Sequence, residues 1–296
     1  MTDAPRDERG GGGTIRGDGS AGRTGGSSDA GTARVAVGPR VGTAGVVVTG
    51  GGTGIGRAVA LRLAAAGGRV VVVGRRAERL EETASHHPDR ILPLRCDLES
   101  PAERKDLLRR CRDLLGGLDG LVHAAGVVAH RPPGSIDEAG LRSMIELDLV
   151  APLRLGEQAL SMLDPGGGVV FVSSTLALRP IETSAVYSAA KAGMDAAMKS
   201  LALAGAPKGI RFNSVAPGLV DTEMTRALRL APGEPEPPPR ERSERVREQM
   251  EGFAALAPMG RLGAPEEIAD AIVHLLSAPW TTGEVHVVDG GLLLRG

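Results

Sequence analysis

Two runs of valine constrain this chain more than any other feature. Val46-Val-Val-Thr49 and Val70-Val-Val-Val73 are short, and their β-branched side chains favour the extended backbone of a strand. Neither run alternates with polar residues, so both faces of each strand must be covered. A helix is expected between them, over residues 55–66, and the alternation then continues. A helix from about Ala77 leads to a strand at 91–95, and a helix at 101–115 opened by Ser100 leads to a strand at 121–123. A long helix over 141–163 precedes a strand at 169–172 and the helix that carries Tyr187. A strand at 211–215, a helix from Pro265 to about Leu276 and a strand at 285–288 complete the pattern. Right-handed crossovers between such strands predict an α/β protein, doubly wound in three layers around a seven-stranded parallel sheet. Its ligands are expected at the carboxyl ends of the strands.

The turn after the first strand reads Thr49-Gly50-Gly51-Gly52-Thr53-Gly54-Ile55-Gly56 and runs straight into a helix. Glycines there let the backbone turn sharply and approach a pyrophosphate, which sits on the free amides of the helix N-terminus. Strand, turn and helix together point to dinucleotide binding. An NAD site would place an acid after the second strand for the ribose 2′-hydroxyl. This chain has Gly74-Arg75-Arg76 instead, and guanidinium groups suit a 2′-phosphate. NADP(H) is therefore expected in preference to NAD(H), with Arg75 the principal contact and Arg76 beside it; solvent-facing arginines are the alternative. Asp97, after the third strand, suits either the adenine amino group or a turn.

The second chemical signal is Tyr187-Ser-Ala-Ala-Lys191 in an Ala-rich helix. Residues four apart share a helix face, so the phenol and the ammonium project together. The cation favours the phenolate, pulling the tyrosine pKa toward working pH and making a proton donor or base. A packed aromatic beside a solvated lysine is the plainer reading. Yet Tyr187 is the one tyrosine in the sequence, and Lys191 one of four lysines.

A net charge of −1 and 2% aromatic residues argue against a nucleic-acid surface. Cys96 and Cys111 lack metal-ligand or redox spacing, and no metal site is expected. No apolar run approaches the roughly 20 residues that span a bilayer, and a cytoplasmic, soluble protein is expected. Residues 1–43 are Gly-, Ser-, Asp- and Arg-rich and read as a disordered arm preceding one domain over 44–296.

Several motifs together resemble the short-chain dehydrogenase/reductase family, and within it the 3-oxoacyl-acyl-carrier-protein reductases and related ketoreductases. They are Thr49-Gly-x-x-x-Gly-x-Gly56, Ser174 thirteen residues before Tyr187, Lys191, and Pro217-Gly218-Leu-Val-Asp-Thr222. Arg261-Leu-Gly-Ala-Pro-Glu-Glu-Ile-Ala and Val288-Asp-Gly-Gly291 extend the likeness, which covers about residues 44–291. The resemblance implies a Rossmann fold and an oxidoreductase acting on a carbonyl or secondary alcohol of a small-molecule or acyl substrate. Ser174 would bind the carbonyl oxygen, Tyr187 deliver the proton, and Lys191 tune Tyr187 and bond the nicotinamide ribose. Gly50, Thr53, Gly54, Ile55 and Gly56 would line the cofactor site, as would Ala125 and Gly126 after the fourth strand. Pro217, Gly218, Val220 and Thr222 would hold its nicotinamide end.

It also implies a lid at about 221–258, here with a Pro-rich insertion, and a homotetramer or homodimer. Pocket walls are expected from Leu176, Ile181, Val127, Val128 and Met224, while Arg179 and Glu182 suit either the pocket or an exposed loop. Two departures stand out. His123-Ala124-Ala125-Gly126 replaces Asn-Asn-Ala-Gly, so His123 is expected to fill a structural place. Asp148 replaces the asparagine of the Ser–Tyr–Lys–Asn tetrad, with an altered pH dependence expected. An NAD-linked secondary-alcohol dehydrogenase is one alternative. A non-catalytic dinucleotide sensor is another, although Ser174, Tyr187 and Lys191 are all present.

Overall fold

In a computed structural model, which describes residues 45–230 and 233–295, both valine runs lie within one sheet. β1 (Gly45–Thr49) and β2 (Arg69–Gly74) pair in parallel, Val46 opposite Val70 and Thr49 opposite Val73. Between them runs α1 (Gly54–Ala65). There follow α2 (Ala77–Ala84), β3 (Ile91–Arg95), α3 (Pro101–Arg104), α4 (Leu107–Leu115) and β4 (Gly120–His123). Next come α5 (Glu138–Ile145), a π-helical turn (Glu146–Val150), α6 (Ala151–Met162), β5 (Gly168–Val172) and α7 (Ala185–Gly205). The chain closes with β6 (Arg211–Pro217), α8 (Glu223–Arg226), α9 (Pro239–Leu256), α10 (Pro265–Ser277) and β7 (Val285–Val288). Strand order is β3-β2-β1-β4-β5-β6-β7, and every pair is parallel.

The period of two along each strand sorts the core into two layers. Val47, Val71, Val73, Leu121 and Phe171 face one side, against Leu108 and Cys111 of α4, Leu155 of α6 and Met194 of α7. Val46, Val48, Val70, Val72 and Val122 face the other, against Val59 and Leu63 of α1, Leu80 of α2 and Ile272 of α10. The uninterrupted valines therefore serve both layers at once. Pro93 is accommodated because β3 is an edge strand and pairs on one side only.

Two helices differ from expectation. The helix expected over 101–115 is broken at residues 105–106. Ser100 caps the first piece, and Arg104 turns inward to pair with Glu146 at 2.7 Å and to donate to the Leu98 carbonyl. A tertiary ion pair thus overrides a continuous local helix. The helix expected over 141–163 starts earlier, at Glu138, where Asp137 accepts from the Gly140 amide at 2.7 Å. It also contains the π turn, a feature common at functional sites. The expected N-terminal arm, residues 1–43, lies outside the described residues. No described helix is long and apolar enough to cross a membrane.

Candidate active site

Strand order reverses direction at β1, whose neighbours are β2 and β4, and a crevice opens there beyond the strand ends. The turns after β1 and β4 touch: a Cβ on Gly50 would lie 2.7 Å from the Ala125 amide nitrogen. Gly50 also has φ +66°, and its N–H donates to the Val73 carbonyl at 2.8 Å. A Cβ on Gly56 would collide with the Gly50 carbonyl. Only glycine fits either place. The first turn of α1 carries no acid, so its amides face the crevice without a competing negative charge.

A cavity of about 550 Å³ extends from this turn. It is lined by Gly50, Thr53, Gly54, Ile55 and Gly56, by Ala125 and Gly126, and by Pro217, Gly218, Val220 and Thr222. Ser174, Tyr187 and Lys191 lie in the same wall. Where β2 ends, Arg75, Arg76 and Arg79 line it together, with Asp97 nearby. Arg75 pairs with Glu99 at 3.0 Å, while Glu223 reaches Arg76 at 3.3 Å and Arg79 at 3.4 Å. All three arginines are partly open to solvent, so these pairs are weak and replaceable. Asp97 Oδ1 accepts from the Glu99 amide at 3.0 Å, which fixes a turn. A glycine cradle, free helix amides and three cations suit the pyrophosphate and phosphates of a dinucleotide.

Of the residues expected to serve catalysis or the cofactor, Asp148 alone stays out of the cavity wall. It is completely buried on the π turn, and a Cβ on Gly126 would stand 2.6 Å from its Oδ1. That Oδ1 lies 3.2 Å from Lys191 Nζ, and Lys191 and the Val127 amide both favour the charged carboxylate, although neither oxygen accepts a well-aligned hydrogen bond among the described residues. Lys191 is itself buried and donates to the Val172 carbonyl at 2.9 Å. Its Nζ sits 5.7 Å from the centre of the Tyr187 ring, one helical turn away. Ser174 follows β5 and accepts from the Leu176 amide at 3.1 Å.

Charges in this cluster work against burial. Burial opposes the Lys191 charge, but Asp148, Tyr187 and Asp195 outweigh it and hold the ammonium above the ordinary lysine range. Burial pushes the Asp148 carboxyl up, and Lys191 only partly reverses this. The expectation that Lys191 brings the Tyr187 phenol down needs correction for the protein alone. Burial pushes Tyr187 up more than the Lys191 charge pulls it down, and Asp148 adds to the rise. Tyr187 therefore rests as a protonated phenol at neutral pH.

His123 occupies the structural place expected of it. Its Nδ1 is 3.0 Å from Thr49 Oγ1 on β1, and its Nε2 is 3.4 Å from the Leu147 carbonyl on the π turn. The carbonyl can only accept, so Nε2 carries the proton and Nδ1 accepts from Thr49. Burial, then the Lys191 charge, push its pKa down to about 3. It is neutral at ordinary pH and ties strand to turn. His123→Leu should lower stability by about 1–3 kcal/mol through lost pairing of buried groups, measured by thermal unfolding.

Leu176, Ile181, Val127, Val128 and Met224 line the cavity as expected, but Arg179 and Glu182 do not. Arg179 instead donates to the carbonyls of Leu292, at 3.1 Å, and Arg295. The sequence reading passed over Arg79, which is three residues after Arg76 and so shares its side of the chain. It also passed over His130, Arg229 and Phe253, which reach the cavity from segments far apart in sequence.

The family profile described as Enoyl-(Acyl carrier protein) reductase matches residues 50–293. The 3-oxoacyl-[acyl-carrier-protein] reductase of Mus musculus is 34% identical over 248 residues, covering 83% of this chain and 97% of its own length. The Cis-4-hydroxycyclohexanecarboxylate dehydrogenase of Sinomonas cyclohexanicum is 38% identical over 253 residues, covering 83% and 94%. The crystal structure of a short-chain dehydrogenase/reductase, a glucose/ribitol dehydrogenase from Brucella melitensis, superposes with a TM-score of 0.73 at 31% identity. That match covers 83% of this chain and 95% of the other.

Proposed function

The chain belongs to the short-chain dehydrogenase/reductase family, and on that premise we propose that it is an NADP(H)-dependent carbonyl reductase, reversibly a secondary-alcohol dehydrogenase. The observation that carries the reading is the convergence of Ser174, Tyr187 and Lys191 on the wall of the cavity that begins at the glycine turn. When bound there, the cofactor supplies the hydride in reduction and accepts it in oxidation.

The chain's own residues handle the proton and the charge. The Ser174 hydroxyl donates to the substrate oxygen and stabilises negative charge developing on it. Tyr187, protonated at neutral pH, delivers its proton to that oxygen. Lys191, fixed by Val172 and charged because of Asp148, stabilises the phenolate left behind. Asp148 acts on the chemistry through Lys191 and is a positioning residue. Apolar Val128, Leu176, Ile181 and Met224 keep water from the reacting carbonyl. The segment 221–258, which contributes Met224, Arg229, Phe253 and Leu256 to the wall, serves as the lid. The working form is a cytoplasmic homotetramer or homodimer of one catalytic domain.

The preference for NADP(H) follows from chemistry at the end of β2. No acid stands at Gly74, Arg75 or Arg76 to receive a 2′-hydroxyl, and three guanidinium groups line the wall nearby. Arg75→Ala should weaken NADPH binding about 10- to 100-fold, as loss of a charge-assisted bond does. NADH binding should hardly change, and fluorescence titration of both cofactors decides it. Tighter binding of NADH by the wild type would favour the NAD-linked alternative. The names of the relatives span an acyl-chain reductase and a dehydrogenase of a ring alcohol, so the proposal rests at carbonyl and secondary-alcohol chemistry. A panel of ketones and alcohols, each offered with both phosphorylated and unphosphorylated cofactors, tests it. No cofactor turnover with any pair would defeat the reading in favour of a dinucleotide sensor.

A further inference from the structure

The cavity that holds Ser174 and Tyr187 is also lined by His130, Arg229 and Phe253. Arg229 is held by design of the local structure. Its backbone N–H donates to Gln249 Oε1 at 3.0 Å, and Gln249 Nε2 donates to the carbonyls of Thr225 at 2.9 Å and Ala227 at 3.1 Å. One turn further along α9, Phe253 lies beneath the guanidinium, whose carbon is 4.4 Å from the ring centre. Gln249 and Phe253 are four residues apart and so share a helix face. The turn bearing Arg229 is clamped by one and its side chain is supported by the other.

The guanidinium has no carboxylate against it among the described residues. Its neighbours in sequence differ: Arg226 pairs with Asp221 at 2.6 Å, Arg242 with Glu236 at 3.4 Å and Arg245 with Glu234 at 2.7 Å. Arg229 stays partly open to solvent at the cavity mouth, and no acid among the described residues offsets the downward shift that its partial burial causes. Beside it, His130 has its Nδ1 buried with no hydrogen-bond partner among the described residues. Burial, then the Arg229 charge, push the pKa of His130 down to about 4, so this imidazole is neutral and leaves Arg229 as the local cation. Stacking on Phe253 occupies one face of the guanidinium, and its in-plane N–H groups have no partner among the described residues.

We propose that Arg229, seconded by His130 Nδ1, receives a carboxylate on the substrate, so that the chain reduces oxo acids and, in reverse, oxidises hydroxy acids. The planar fork matches the two oxygens of a carboxylate, and the Nδ1–H tautomer of His130 adds a further donor. Apolar Leu176, Ile181 and Met224 in the same wall then suit the hydrocarbon between carboxylate and carbonyl. The assignment rests on the carbonyl-reductase reading for its chemistry, but binding can be tested apart from turnover.

The test is calorimetric titration of the NADP⁺-loaded protein with levulinate, acetylbenzoate and oxocyclohexanecarboxylate, each against its methyl ester. The expected result is an acid-over-ester preference of about 10- to 100-fold for at least one pair, the range of a charge-assisted contact. Arg229→Leu should abolish that preference, Arg229→Lys should keep part of it, and Arg109→Leu, an exposed position on α4 away from the cavity, should keep all of it. Circular dichroism of each variant separates loss of binding from loss of fold. Equal binding of acids and esters across the set, or a preference that survives Arg229→Leu, overturns the proposal. Failure of the parent reading looks different: acids bind selectively, yet no ketone, acid or neutral, is ever reduced.

Discussion

Tyr187→Phe should lower turnover by about 10²- to 10⁴-fold in both directions, the usual contribution of a positioned proton donor. The substitution removes one oxygen and nothing else. Tyr187 is buried, and its ring would keep its packing in α7, so the fold and the binding of the cofactor should survive. Single-turnover measurement with a ketone and NADPH reads the effect, and cofactor titration supplies the control. Equal rates in the two proteins would remove Tyr187 from the chemistry. The pH dependence carries a sign as well. Burial holds the phenol above its ordinary range, so reduction, which needs the proton, should proceed at neutral pH and fade only in alkali. Alcohol oxidation needs the phenolate and should speed up as pH rises.

Much of this architecture was legible because local and global signals agree. Val46–Val48 and Val70–Val73 had to be doubly covered strands, and each valine does enter one of two opposed core layers. The glycine turn was legible for a similar reason: steric exclusion at Gly50 and Gly56 leaves a residue-type signature. Tyr187 and Lys191 could be paired because a helix fixes their spacing. What escaped the sequence depends on side chains whose partners lie far along the chain. The break in the helix at residues 105–106 accompanies Arg104 reaching Glu146, 42 residues on, and no window of local propensity contains that pair. Arg229 becomes part of the cavity only because α9 folds back and supplies Gln249 and Phe253. The direction of the Tyr187 shift was misjudged for an electrostatic reason. Sequence reveals the neighbouring charge of Lys191 but not the depth of burial, and here burial is the larger effect.

The buried pair of Asp148 and Lys191 should behave as a unit. Lys191→Met alone should destabilise the protein by about 3–5 kcal/mol, the usual result of leaving one buried charge without its partner. A carboxyl titrates near 3.9 when unfolded, and burial already raises Asp148 above that range in the fold. Such a group binds protons more tightly when folded, so its contribution to stability is complete below about pH 4 and is lost as pH rises through the folded pKa. Without Lys191 that folded pKa rises further. The destabilisation should therefore be greatest at neutral and alkaline pH and should shrink on acidification, as urea unfolding across pH would read. Adding Asp148→Asn to Lys191→Met should restore most of the loss, because it removes the orphaned charge and keeps the shape. By itself, Asp148→Asn should also cost stability, because the buried Lys191 ammonium is left with its backbone contact alone, and it changes the chemistry as well. It removes a negative charge that raises Tyr187 while Lys191 keeps its bond to Val172. While Lys191 stays charged, the phenolate becomes easier to form, and the alkaline limb of alcohol oxidation should move to lower pH with turnover retained; loss of the Lys191 charge would move it the other way. An unchanged profile would mean that the carboxyl of Asp148 is neutral in the working enzyme, with Lys191 held by its backbone contact alone.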